Sequence, residues 1–377
     1  MGRLFSIFLL VTIALVIYVK LSRQHMPITA EPFPSVTKVS KDEIKLAEEA
    51  NILLIGSDLA SSIVPIIENI AEKYSSKFKT PLKVYNWART GEGVHRTYQK
   101  IKSLKTLPTL AIYLGGNSEF REKYFSPNDQ AKIKRNYELS ENPYISALLE
   151  FFPIFSRFIF SPTQISRFKS GKLKTYEKNF FTQFTESQVL KYLETNYFLY
   201  EKALMSINRK FRNNGKKIIN ITYPYYPEQE VALICPQSRS PAIDYLIKDI
   251  EAELDKADDE TILKYLQDLS EVSLGNAKTY WLRAKLEKKT KKFKSALNHF
   301  ALSKLFDCSP KGANKITNTI IRRISNSMAN PVIDWSEIIF LDYGKDYLFM
   351  DEVVPQEKYF QTLRKELDKN ITKILRI

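Results

Sequence analysis

The sequence holds little of the chemistry that marks a metal or redox centre. Among 377 residues there are two cysteines, Cys235 and Cys308, and three histidines, His25, His95 and His299. Two cysteines leave room for one disulfide but form no framework. No histidine stands at metal-ligand spacing from another or from a cysteine, so no metal or other cofactor is expected. The Gly-x-Gly-x-x-Gly fingerprint is missing, and no Gly-Lys-Ser/Thr follows the first apolar run, so nucleotide phosphates have no cradle. The basic residues are scattered and lack an aromatic stacking pattern, so no nucleic-acid partner is expected. No small-x-small cleavage site follows the apolar N-terminus, where "VKLSRQHMP" stands instead. That excludes the usual removable signal peptide.

What is present is a basic chain with enough apolar residues for one large core or two modest ones. Its net charge is +15 and 44% of its residues are hydrophobic; the scattered Lys and Arg read first as solvated helix faces, with an anionic surface as the alternative partner. Leu4 to Val19 is almost wholly apolar, with Arg3 before it and Lys20 and Arg23 after it. It reads as an uncleaved membrane anchor over residues 1–23, with orientation unfixed because positive charge flanks both sides. Residues 24–43 hold three prolines and read as a linker.

A single domain is then expected over residues 44–377. "NILLIGS" (51–57), "PLKVYNW" (81–87) and "TLAIYLG" (109–115) are strand candidates. Helical spacing fills 61–78 and 93–104 between them. Strand, helix, strand, helix, strand with short loops implies a parallel sheet wrapped by helices. The strand signal then stops, and 116–215 reads as a helical insert. Its stretch 142–162 is apolar and aromatic, interrupted by Pro153 and Arg157, and reads as a lid with bilayer contact left open. "KKIINITYPYY" (216–226) restores a strand. Residues 240–327 are helical again, and 330–335 and 347–367 supply a last short strand, a loop and a closing helix. Within 280–310, Tyr280 and Ala284 on one helix and Phe293, Ala296, Phe300 and Ser303 on the next resemble one tetratricopeptide repeat without its usual glycine turn.

The short motifs carry more than their individual strength when read in order. "ILLIGSDLASSI" (52–63) comes first, then "NWARTGEG" (86–93), "YLGGNSEF" (113–120), and "DEVVP" (351–355) before the last helix. This order is similar to that of the SGNH (GDSL-type) hydrolase superfamily, most closely its membrane-anchored bacterial branch with a tetratricopeptide-like insertion. The resemblance implies a three-layer α/β/α fold and an extracytoplasmic place on the periplasmic face of a bacterial inner membrane. It also implies a serine nucleophile in the first block, oxyanion donors from a second-block glycine and a third-block asparagine, and an aspartate-oriented histidine base in the last block.

Carried over position by position, the resemblance puts Asp58 at the nucleophile position, with Ser57 where the acidic residue lies. Gly91, or Gly93 nearby, supplies the second-block donor, and Asn117 the third. Asp351 is the orienting aspartate, and Val354 stands where the histidine belongs. Valine accepts no proton, and Asp58 yields no alkoxide, so two positions of one proton-transfer step are changed. The first expectation is an impaired hydrolase whose cleft binds a glycan, an acyl-sugar or an envelope protein partner through Asn117, Gly91 and His95. The alternatives are an active esterase or acyltransferase using Ser57 with His95 as displaced base, and a scaffold acting through its helical inserts. Asp58 with Asp351 could also make a carboxylate pair for a cation or acid–base work.

Overall fold

The structure is a computed structural model. It describes residue 12 and residues 39–78, 81–120, 125, 127–161, 185–232, 240–254, 256, 258–272, 275–308 and 312–375. The expected anchor lies outside these apart from Thr12, and so does most of the linker. Among the described residues no helix is long and apolar enough to cross a membrane. The chain divides into two compact units, one of Tyr124–Leu173 with the N-terminal residues and one of Thr37–Lys123 with Lys174–Ile377.

The larger unit is built on five parallel strands: β1 (Ile52–Gly56), β2 (Val84–Asn86), β3 (Leu110–Leu114), β4 (Lys217–Ile221) and β5 (Val332–Ile333). Their order is β2-β1-β3-β4-β5. β1 and β3 are buried along their whole length, which is why they read as unbroken apolar runs rather than as alternating strands. β2 and β5 are the sheet edges and are shorter than the sequence pattern suggests. β2 keeps only three partly buried residues of the seven expected.

Successive residues of the strands feed two different cores. Ile52, Leu54, Leu110, Ile112, Leu114, Ile219 and Ile221 face one side. Leu53, Ile55, Ala111, Tyr113 and Ile218 face the other. The first side is covered by α3 (Val64–Phe78) and α15 (Glu357–Leu375), through Ile67, Ile70, Leu363 and Leu367. The second is covered by α1 (Lys41–Glu49), α4 (Val94–Ser103), α8 (Glu186–Asn213) and α13 (Lys315–Ser327), through Ala47, Ile101, Leu204 and Ile321. The larger unit is therefore helix, sheet, helix in three layers. α8 falls inside the stretch read as an insert, yet it packs on the sheet as the crossover between β3 and β4.

The stretch whose spacing resembles a tetratricopeptide repeat is a helical hairpin of α11 (Ala277–Lys289) and α12 (Phe293–Phe306). Ala284, Ala296, Phe300 and Ser303 are buried there. Lys291 adopts φ +60° in the turn between the helices, a conformation that usually falls to glycine. The hairpin thus keeps its turn without the glycine. On its other side it shares a small core with α9 (Pro241–Glu253) and α10 (Asp259–Val272), where Ile250 and Leu269 meet Leu282 and Leu286. Cys308 is fully buried and disulfide-bonded. Cys235, the other cysteine of the chain, lies outside the described residues. The last strand is followed by α14 (Trp335–Phe340), whose Trp335 packs edge-on against Phe360 of α15.

The smaller unit contains α5 (Gln130–Glu141), α6 (Pro143–Phe151) and α7 (Ser156–Ile159). Asn136 on α5 is buried and makes two hydrogen bonds with Ser161. Its Nδ2 donates to the Ser161 carbonyl at 2.9 Å, and its Oδ1 accepts from the Ser161 N–H at 2.8 Å. These bonds fix the segment after α7 against α5.

Candidate functional site

In an open parallel sheet, ligands bind outside the carboxyl ends of the strands where the strand order reverses. Here that point lies between β1 and β3. Both strands end in the sequence motifs, Gly56-Ser57-Asp58 after β1 and Gly115-Gly116-Asn117 after β3. Gly56 is required by close approach. It has φ +134°, and a Cβ there would lie 1.9 Å from the Leu114 carbonyl oxygen. Ser57 N–H donates to that same carbonyl at 3.0 Å. The chain then turns at once into the short helix α2 (Asp58–Ser62).

That turn puts Asp58, not Ser57, at the junction of the motifs. Asp58 Oδ1 accepts from the Gly91 N–H at 2.8 Å, and Oδ2 accepts from Asn117 Nδ2 at 3.3 Å. Asn117 Oδ1 accepts from the Ala313 N–H at 3.2 Å, so its amide is held from both ends. Gly91 takes φ +70° in the turn before α4. Gly93, the other candidate donor, is instead the N-cap residue of α4. Ser57 is fully buried, and its Oγ has no hydrogen-bond partner among the described residues.

Two further acidic residues complete the junction, and neither drew notice as a site residue. Both oxygens of Glu119 accept from the Val94 N–H, at 3.0 and 3.1 Å, placing a carboxylate at the N-terminus of α4. Glu92, next to Gly91, is buried and paired with the fully buried Lys100 at 2.7 Å. Lys100 also donates to the Trp87 carbonyl, and Thr97 Oγ1 donates to Glu92 at 2.8 Å. Burial pushes the Glu92 carboxyl up against the pull of Lys100, and pushes the Lys100 ammonium down against the pull of Glu92. The first block is thus tied to the second through Asp58–Gly91 and to the third through Asp58–Asn117, and the third is tied to the start of α4, directly after the second block, through Glu119–Val94. Glu119 is visible in the string "YLGGNSEF", but its partner is a backbone N–H that no sequence pattern names.

The fourth block behaves differently. Asp351 is exposed, and its Oδ1 accepts from the N–H groups of Val353 and Val354 at 2.6 and 2.7 Å. It closes its own loop. Val354 is partly buried against the first core, and its carbonyl accepts from the Met350 N–H at 2.8 Å. Asp58 and Asp351 therefore serve separate sets of backbone and amide donors. His95 sits in the first turn of α4, where its Nε2 pairs with Gln99 Nε2 at 2.9 Å, one turn along the same helix. Among the described residues no group of three or more histidine, cysteine, aspartate or glutamate side chains could hold a metal ion.

Beside Asn117, residues Gln229, Ser303, Lys304, Asp307 and Gly312 enclose a cavity of about 10 Å³, roughly the room one water needs. Burial lowers the Lys304 ammonium pKa to about 8 against the opposing pull of Asp307 and Glu352. Its Nζ donates to Gln229 Oε1 at 2.8 Å.

No family model matches the chain, and no curated protein does. Among solved structures it is similar to the crystal structure of an alpha/beta hydrolase enzyme from the metagenome of Lake Arreo, Spain. That match has 10% identity and a TM-score of 0.34, and covers 87% of this chain and 95% of that one. A likeness at that level fixes neither the fold family nor an activity. The assignment of this junction therefore stands on its own hydrogen bonds.

Proposed function

We propose that the chain is a catalytically silent SGNH-like protein of the bacterial envelope, whose cleft is kept for binding rather than hydrolysis. The observation that carries this reading is the Asp58 carboxylate lying across the Gly91 N–H and the Asn117 amide. Those are the two donors that an SGNH hydrolase would aim at a developing oxyanion. Such donors work only if they stand about 2.7–3.1 Å from the place the oxyanion will occupy. Here a fixed anion already fills that place and repels another. Loss of one such donor costs about 10²–10³ in rate, and loss of the nucleophile or base about 10⁶. The chain combines all three changes, with Ser57 buried and Val354 unable to take a proton.

The ligand such a cleft favours has hydroxyl or amine donors for the outer lone pairs of Asp58. A glycan or acyl-sugar meets that requirement, and so does a protein partner presenting amines. Anchoring through residues 4–19 at the periplasmic face of the inner membrane belongs to the same proposal and follows from the resemblance.

The test is turnover of p-nitrophenyl acetate and butyrate by the purified full chain, beside an Asp58→Ser/Val354→His double variant. The expected result is background turnover for the natural chain and a measurable rate in the double variant. Clear turnover by the natural chain, abolished by Ser57→Ala, would overturn the proposal and make Ser57 the nucleophile.

A further inference from the structure

We infer that the cavity between α8, α12 and α13 holds a single acyl chain, in the form of a long-chain fatty acid. All three helices belong to the larger unit, and the cavity measures about 720 Å³. That lies within the range of about 300–1,000 Å³ usual for small-molecule sites. Each helix lends it one stripe. Glu194, Tyr197, Phe198 and Glu201 of α8 fall at i, i+3, i+4 and i+7, the spacing of one helix face. Asn298, Ala301, Leu302 and Leu305 of α12 repeat that spacing. Ile316 and Ile320 of α13 close the third side, between Lys315 and Arg323. Apolar stripes normally interdigitate, and close-packed interiors leave few voids larger than a water molecule. Here three of them face a common space that none of them fills.

The chemistry of the walls selects the occupant. The Tyr197 hydroxyl accepts from Asn314 Nδ2 at 2.7 Å, and Thr319 Oγ1 donates to the Lys315 carbonyl at 2.7 Å. Both hydroxyls are thus engaged within the protein. A sugar or an extended peptide in the trough would bury polar groups that find few partners there. Length limits the choice as well. Lys315 and Arg323 stand eight residues apart, about 12 Å along α13. That accommodates about two turns of a partner helix, too few for a peptide helix to hold its shape. A methylene chain has no polar group to satisfy, and it bends to fill the space.

Charge places the head. Four charged residues stand on the rim. Arg323 is paired with Glu201 at 2.7 Å, and Glu194 has a partner of its own. Lys315 is exposed and makes no ion pair among the described residues. It is also the first residue of α13, at the positive end of that helix. A carboxylate at this end of the trough meets an uncommitted cation while staying in water. An exposed ion pair of this kind is worth at most about a fivefold gain. Burial of the chain therefore carries the affinity, and Lys315 sets which way the chain lies. The inference is independent of what the Asp58 junction binds.

The full chain has another apolar segment at residues 4–19, so the test must report where a ligand sits. The full chain in phosphatidylcholine nanodiscs is irradiated with palmitic acid carrying a mid-chain diazirine. The matching palmityl alcohol is the neutral control, and peptide mass spectrometry locates the adducts. The expected result is adducts on residues 194–201, 298–305 and 315–323 that unlabelled palmitate competes away. The alcohol should label these positions about two- to fivefold more weakly. Lys315→Met should bring the acid down to the level of the alcohol and leave the alcohol unchanged. Ala301→Phe, which fills the trough, and Leu302→Glu, which puts a charge in it, should each remove the adducts of both probes. Adducts confined to residues 4–19, or spread along the chain without competition, overturn the inference. So do adducts on the three helices that survive Ala301→Phe and Leu302→Glu. Equal labelling by acid and alcohol overturns the choice of a carboxylate. Equal labelling by a phosphatidylcholine bearing the same diazirine chain overturns the choice of a free acid. Thermal unfolding like that of the natural chain identifies the variants that carry the test, and either cavity variant suffices.

Discussion

The Asp58 carboxylate and the Asn117 amide meet at 3.3 Å across the carboxyl ends of β1 and β3, and the other face of that amide holds the Ala313 N–H. One acidic side chain thus fastens the strand it follows to the neighbouring strand and, through Asn117, to the segment leading into α13.

Removing that carboxylate is expected to cost stability even if no activity is at stake. Asp58→Ala leaves the Gly91 N–H and the Asn117 amide without their acceptors. A loss of this kind is worth about 1–3 kcal/mol, and the partial burial of Asp58 favours the lower end. Asp58→Asn keeps one oxygen for Gly91 but turns an amide toward Asn117, whose own oxygen is committed to Ala313. It should fall between the natural chain and alanine. Urea unfolding midpoints measure the order, and an alanine variant as stable as the natural chain would show that the joint contributes nothing net.

The Glu92–Lys100 pair beneath the Gly91 turn should show strong coupling. Both side chains are buried, at 2% and 0% exposure. Removing one partner strands the other as an uncompensated charge, at a cost of about 3–5 kcal/mol. Lys100→Met alone is therefore expected to be severe. Glu92→Gln with Lys100→Met should recover much of the loss, since neither charge then needs a partner. A double-mutant cycle by urea unfolding measures the coupling, and purely additive losses would refute it.

How much of this was legible beforehand depends on whether the cause was local. β1 and β3 showed themselves because strands buried on both faces must be apolar throughout. The short β2 and β5 did not, because an edge strand's length is set by its one neighbour. α8 looked like part of an insert because its crossover role exists only once β3 has paired with β4, about a hundred residues later. At the site, the reversed letters Ser57-Asp58 were plain in the sequence. That the carboxylate spans Gly91 and Asn117 follows from the register that sets Gly56 beside Leu114, and no spacing encodes it. The Asp351 bonds to its own loop are local, but the resemblance to a catalytic aspartate hid them.

Acid should loosen the junction between α13 and β5. Burial alone would raise the Asp334 carboxyl, but the Arg322 guanidinium grips both its oxygens, at 2.6 and 2.8 Å, and Thr222 Oγ1 donates at 3.0 Å. Together these hold its pKa below the ordinary value. A carboxylate whose pKa is depressed by folding adds stability that is complete above its unfolded pKa, about 3.9, and fades as pH drops through the folded value. The pair is partly solvent-screened, with 25% and 35% exposure, so its worth is about 1 kcal/mol or less. The gap in urea midpoint between the natural chain and Asp334→Asn should be full at neutral pH and close below about pH 4. A gap independent of pH would mean that the loss is one of packing.

The parallel order of the sheet also bears on how the chain is made. β3 pairs with β1 on one side and with β4 on the other, yet β4 begins only at Lys217. At synthesis rates of about 5–20 residues per second, β3 is made roughly 5–20 s before its second neighbour. During that interval a fully apolar strand lies unpaired on one side, so the nascent chain is open to capture by other strands and by chaperones well before the joint between Asp58 and Asn117 can be completed by Ala313.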